Sequence, residues 1–197
     1  MSWHNDQVSA TETEKILEIA KRCLLAEGDF VELGCYRGDT SLLLAELLVE
    51  KTVEKSVKKL WMYDSFEGLP EKSRKDESEV GKDFQQGELA VTKREVKNRF
   101  LRAGLPVPVI KKAWFNELTK ADLPEKIAFA FLDGDLYESI KDSLELVEEK
   151  ISDGGVIMVH DYNNPALPGV ASAVDEWLKN RDTKIMQRYQ SLAIINL

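Results

Sequence analysis

The chain has 197 residues, 43% of them hydrophobic and 31% charged, a balance that predicts a single domain over residues 1–197 with a sizeable core. A formal net charge of -8 excludes broad nucleic-acid binding, which needs a basic face. No apolar run approaches the ~20 residues that span a membrane, and Cys23 and Cys35 sit in unrelated contexts that read as buried thiols, so a cytoplasmic, reducing setting without membrane contact is expected.

Residues 1–8 are polar and read as loose. Ser9 and Glu12 form a capping box, and Ile16, Ile19, Ala20, Cys23 and Leu24 follow on one helical face, with Gly28 as the stop. The stretch Asp29–Ser41 comes next. Phe30, Val31 and Leu33 make an apolar strand that ends at Gly34, and Gly38 follows. Asp39, Thr40 and Ser41 then offer capping oxygens to a helix through Leu42–Leu48. Glycines let backbone approach a ligand closely, and a helix start attracts negative charge. Glu32-x-Gly34-x-x-x-Gly38 lacks the third glycine of the dinucleotide pattern. An acid ahead of the first glycine suits a ligand with an amino group, and S-adenosylmethionine (SAM) is such a ligand. A generic strand–turn–helix carries the same signal.

Leu60–Tyr63 is a short apolar strand stopping at Asp64, where a carboxylate can accept ribose hydroxyls or simply cap the next turn. Residues 65–89 place Phe66 and Leu69 among Gly68, Pro70 and a mixed-charge run; a lid and a solvated loop both fit. Thr92 and Glu95 cap a helix with Val96 and Phe100 inward and Gly104 as its stop, and Val107–Ile110 reads as an edge strand because it contains Pro108. Ile127–Leu132 is apolar on both faces, hence central in a parallel sheet. A helix through Ile140, Leu144, Val147 and Ile151 precedes Gly154-Gly155 and the strand Val156–Val159. A Pro-rich loop leads to a helix with Val170, Val174 and Trp177, and Lys184–Tyr189 and Leu192–Leu197 close as an antiparallel pair. Strands alternating with helices predict a doubly wound α/β sheet.

In such a sheet ligands gather at the carboxyl ends of the strands. Those ends carry Glu32, Asp64, Asp133 and His160-Asp161. If the last two strands are neighbours, Asp133, His160 and Asp161 converge into a donor set for Mg²⁺ or a transition metal. Taken singly, Asp135 can cap the following helix, Asp161 can start a turn and His160 can be a hydrogen-bonded core edge. No G-x-S-x-G elbow occurs and the other histidine is His4, so a serine or cysteine triad is poorly supported.

The segments Val31–Ser41, Tyr63-Asp-Ser-Phe-Glu-Gly-Leu-Pro70, Gly87–Ala90, Ala113–Phe115 and Leu132-Asp-Gly-Asp-Leu-Tyr-Glu-Ser139 resemble the macrocin O-methyltransferase family, from about residue 29 almost to the C-terminus. The resemblance implies a Rossmann-like, class I SAM-dependent methyltransferase with seven strands, the last two antiparallel, acting on a hydroxyl of a small molecule such as a sugar. It places Glu32, Gly34, Tyr36, Gly38, Thr40 and Ser41 around the methionine end of SAM, Asp64 and Ser65 at the ribose, Ala113 and Trp114 at the adenine, and Asp133 beside the donor. It puts Asp133 and Asp161 at metal-ligand positions, with His160 standing where relatives carry an acid. Mg²⁺ is the implied cation, and the imidazole admits Mn²⁺ or another transition metal. Only about 28 residues precede the first strand, so residues 1–27 represent a shortened N-terminal helical region.

Methyl transfer is an in-line displacement that the protein mainly positions and desolvates. A cation acidifies the acceptor hydroxyl and a nearby group takes its proton. Asp133, Asp135 and His160 are the candidates, with His160 or Asp135 favoured because a metal-bound carboxylate is a weaker base. A SAM-binding regulator or accessory subunit without turnover is the alternative, and an NAD(P) oxidoreductase a weaker one. A homo-oligomer is compatible with this reading.

Overall fold

The computed structural model describes residues 7–51, 58–80, 84–179 and 181–197. The N-terminal stretch with His4, most of the Lys-rich segment before the second strand and part of the charged run after it lie outside them. Seven strands form one sheet: β1 (Asp29–Leu33), β2 (Leu60–Asp64), β3 (Val109–Lys112), β4 (Ile127–Leu132), β5 (Ile151–Val159), β6 (Ile185–Tyr189) and β7 (Leu192–Asn196). Their order is β3-β2-β1-β4-β5-β7-β6. The pairs from β3 through β5 are parallel, while β5–β7 and β7–β6 are antiparallel. This is the doubly wound sheet with an antiparallel terminal pair that the sequence predicts.

The helices α1 (Ala10–Cys23), α2 (Asp39–Lys51), α3 (Lys93–Ala103), α4 (Tyr137–Val147) and α5 (Pro168–Leu178) cover both faces. One core joins α4 and α5 to the sheet through Ile140, Leu144, Val170 and Val174. The other joins α1, α2 and α3 through Ile16, Ile19, Leu44, Val96 and Phe100. All six residues of β4 are fully buried, as expected for a central strand covered on both sides. Truncating Phe129 or Phe131 there costs about 3–5 kcal/mol. No helix among the described residues is long and apolar enough to cross a membrane.

Several expected boundaries move. α2 begins at Asp39, so Asp39, Thr40 and Ser41 form its first turn rather than precede it. α1 ends at Cys23 with Leu24 as its cap, whereas Gly28 (φ 101°) opens β1, where a Cβ would meet the Lys126 carbonyl at 2.4 Å. β3 starts two residues late, leaving Pro108 just before the edge strand, because its pairing with β2 begins at Trp61 and Val109. Ile151 belongs to β5 rather than to the preceding helix: it pairs with Ile127, and a register shift then carries Phe129 to Val156. The Gly154-Gly155 pair therefore sits inside an irregular strand.

Candidate active site

Strand order reverses at β1, which lies between β2 and β4, so the crevice at its carboxyl end is where such a sheet admits ligands. A cleft of about 1020 Å³, counting its open mouth, lies there. Its first wall is backbone. Gly34 (φ 88°) lies so close to β4 that a Cβ would stand 2.0 Å from the Asp133 carbonyl oxygen. Glycine is thus required for the ends of β1 and β4 to meet. Glu32 is 1% exposed and its carboxyl accepts the Ser41 hydroxyl. Burial drives that carboxyl well above the usual range, and Ser41 only partly offsets this. An ammonium group brought beside Glu32 would restore its charged form.

Asp64 holds this wall together. Its Oδ2 accepts the N–H groups of Cys35 (2.9 Å) and Tyr36 (3.0 Å), and its Oδ1 accepts that of Phe66 (2.7 Å). It both caps its own turn and clamps the glycine turn, and four lone-pair sites leave capacity for a further donor. Tyr36, Thr40, Ser65, Ala113 and Trp114 also line the cleft. Gly38 and Ser41 do not. Gly38 packs toward Val96 and Met62 behind the turn, and Ser41, fully buried, acts through Glu32.

The opposite wall is made of side chains from the ends of β4 and β5, whose pairing aligns Leu132 with Val159. His160 Nδ1 lies 2.8 Å from Asp133 Oδ1 and 3.1 Å from Asp161 Oδ2, and suitable donor atoms of the three lie within 4.8 Å of one another. Adjacent donors around a small divalent cation stand about 3 Å apart, so the donor set fits such an ion as well as it fits a charged imidazole between two carboxylates. Burial pulls the His160 pKa down, but Asp133, Asp161 and Glu12 outweigh it and hold the ring well above its ordinary value.

Glu12 is a site residue that the sequence presents only as half of a capping box. That box forms, with Ser9 Oγ donating to Glu12 at 2.6 Å. The same carboxylate accepts the Ser191 N–H (3.0 Å) and places Oε2 4.0 Å from His160 Nε2. Sequence spacing holds no trace of a contact across 179 residues. Asp135 (φ 61°) lines the cleft rather than capping α4, whose N-cap position is Leu136, without a side-chain bond. Burial first, then Asp133 and Asp161, drive its carboxyl well above the usual range.

A sequence model of the family described as macrocin-O-methyltransferase (TylF) matches residues 14–191. A Streptomyces olivaceus protein, 8-demethyl-8-(2,3-dimethoxy-alpha-L-rhamnosyl)-tetracenomycin-C 4'-O-methyltransferase, is 34% identical over 140 residues, 68% of this chain and 53% of its own length. Demethyldecarbamoylnovobiocin O-methyltransferase of Streptomyces niveus is 31% identical over 163 residues, 76% of this chain and 58% of its own. The chain thus spans little more than half the length of these curated relatives. Among solved structures, the O-methyltransferase NovP superposes with a TM-score of 0.81 at 25% identity, covering 96% of this chain and 80% of that one. CalS11, a calicheamicin methyltransferase, gives 0.76 at 20% identity, covering 94% and 78%.

Proposed function

The chain belongs to the macrocin O-methyltransferase family and carries the class I SAM-dependent methyltransferase fold, and from that premise we propose that it transfers a methyl group from SAM to a hydroxyl of a small molecule, a sugar or another natural-product alcohol. One observation carries the reading: a single cleft is lined by Glu32, Gly34, Asp64 and Trp114 on one side and by Asp133, Asp135, His160 and Asp161 on the other. The first set suits a ligand with an ammonium group, a ribose and a flat base. The second suits a hydroxyl that must lose a proton. A protein that only binds SAM, or an NAD(P) oxidoreductase, has no use for acids opposite the glycine turn.

Glu32 would meet the amino group of SAM, Asp64 its ribose, and Ala113 and Trp114 its adenine. Asp133 and Asp161 would hold a divalent cation with His160 as third donor, Mg²⁺ or, given the imidazole, Mn²⁺ or another transition metal; when bound, such a cation lowers the pKa of a hydroxyl beside it. Asp135 is the best-placed general base. Its carboxyl lines the cleft with a raised pKa, which makes it a stronger proton acceptor than an ordinary carboxylate. His160 turns Nδ1 toward Asp133 and Asp161 and Nε2 toward Glu12, so neither nitrogen is open to an acceptor.

Calorimetry with SAM and NAD, followed by incubation with methyl-labelled SAM and a panel of hydroxylated acceptors, tests this. SAM should bind in clear preference to NAD, and label should appear on an acceptor oxygen. SAM binding no tighter than NAD binding would overturn the reading.

A further inference from the structure

The segment between β2 and α3 holds a buried carboxylate that the proposed chemistry does not use. Asp76 ends a single 3-10 turn (Arg74–Asp76) inside a run of charged residues, yet it is 1% exposed. Its Oδ2 accepts the Ser73 N–H (2.9 Å) and hydroxyl (2.6 Å), and its Oδ1 accepts the N–H of Tyr137, first residue of α4, at 2.7 Å. α4 lacks a side-chain cap of its own, so the cap comes from 61 residues away. On its other side Asp76 presses on the first turn of α5, which also lacks a side-chain cap. A Cβ on Gly169 would stand 1.8 Å from Asp76 Oδ1.

Neighbouring bonds tie down the same segment. Lys75 Nζ reaches both oxygens of Glu176 on α5 (2.6 and 2.8 Å) and sits 3.8 Å from the Tyr137 ring centroid. Tyr137 Oη donates to Glu176 (2.8 Å) and Ser78 Oγ to the Pro165 carbonyl (2.7 Å). The two helices that Asp76 touches follow directly on the loops bearing Asp133, Asp135 and Asp161. The segment that carries Asp76 supplies Gly68, Leu69 and Phe84 to the cleft wall.

We propose that Asp76 is a positioning residue: by capping α4 while abutting α5 it fixes the spacing of the two acid-bearing loops and fastens the cleft-lining segment to both. Helix starts favour a carboxylate at this place, and a misplacement of about 1 Å at reacting groups can cost a hundredfold in rate. The catalytic consequence rests on the methyltransferase reading; the structural coupling does not.

Two substitutions approach the residue from opposite sides. Asp76→Ala removes the cap, and Gly169→Ala pushes a methyl group into it. Each should raise amide exchange at Tyr137 together with residues 66–78, lower kcat ten- to a hundredfold, and leave SAM affinity within about twofold, since the donor wall lies on β1–β3. Asp76→Asn keeps an oxygen for the Tyr137 N–H but loses the acceptor for Ser73. It should restore Tyr137 protection and most of kcat, with exchange rising at Ser73. Where the alanine variants fail to fold, Asp76→Asn alone decides: loss of Tyr137 protection with unchanged kcat, or a tenfold loss of kcat with wild-type Tyr137 protection, overturns the proposal, as does wild-type Tyr137 protection in Asp76→Ala. Absence of SAM binding or turnover by the wild-type protein would strike the methyltransferase reading instead, and the exchange measurements would still judge the coupling.

Discussion

The two walls of the cleft solve the same problem differently. On the β1–β2 side, the half-buried Asp64 is ringed by N–H donors, with Cys35, Tyr36 and Phe66 all bonded to it. Its charge is matched by dipoles that folding fixes in place. On the β4–β5 side, Asp133, Asp135 and Asp161 crowd around one imidazole. Carboxylates so close raise one another's pKa unless a cation or a proton compensates. The first wall is held by shape, the second by charge, and substitutions should separate them.

The largest effect should come from the charged wall. Asp133→Asn keeps the side-chain shape and an oxygen facing His160 Nδ1 but removes the charge. Turnover should fall on the order of 10²–10⁴-fold, the usual cost of losing an acid–base or electrostatic group. SAM affinity, measured by calorimetry on the same preparation, should stay within about threefold. A parallel collapse of SAM binding would erase the distinction between the walls.

The shape-held wall was the more legible of the two in the sequence, because it is local. Glu32, Gly34 and the oxygens of Asp39, Thr40 and Ser41 in the first turn of α2 lie within ten residues, and a strand–turn–helix spells them in order. The capping boxes at Ser9/Glu12 and Thr92/Glu95 were readable for the same reason, and both form. The apolar run Ile127–Leu132 announced a central strand, which placed Asp133 at a strand end. What escaped is what depends on distance along the chain. The mixed-charge run that holds Ser73 and Asp76 gives no sign that Asp76 is buried against two helices. Glu12 reads as a cap and also faces His160. β3 slipped by two residues because edge pairing is set by its neighbour, not by its own weak pattern. Gly38 illustrates the converse: it belongs to the motif, yet it faces Val96 and Met62 rather than ligand space.

A smaller loss should follow Asp64→Ala. A charge-assisted bond to ribose contributes roughly 1.5–3 kcal/mol, so SAM should weaken tenfold or more. Release of the Cys35 and Tyr36 N–H groups would loosen the glycine turn as well. The rate at saturating SAM should change only a few-fold, since the acids of the other wall stay in place. Titration calorimetry paired with initial rates reads both quantities, and wild-type SAM affinity would remove Asp64 from the ribose.

The effect that leaves every residue in place is a pH dependence, and it sharpens the contrast because only the charged wall should show it. Burial opposes the charge on His160, but Asp133, Asp161 and Glu12 prevail and raise its pKa well above the ordinary imidazole value. A raised folded-state pKa means that the protonated ring stabilises the fold. That contribution is complete below pH ~6.5, the unfolded value, and is lost as pH rises through the folded value. A cation that uses Nδ1 as a donor must displace this proton. Its apparent affinity should therefore climb with pH, by at most about tenfold per unit, and level off above the folded pKa. SAM affinity should not follow that curve. His160→Asp, which restores an acid pair, should flatten the cation's dependence above pH ~5 and shift preference from Mn²⁺ toward Mg²⁺, an oxygen-seeking ion. Binding of Mn²⁺ followed by calorimetry from pH 6 to 9 distinguishes the cases. A flat wild-type curve would take His160 out of the donor set and leave it as the charge that holds Asp133 and Asp161 together.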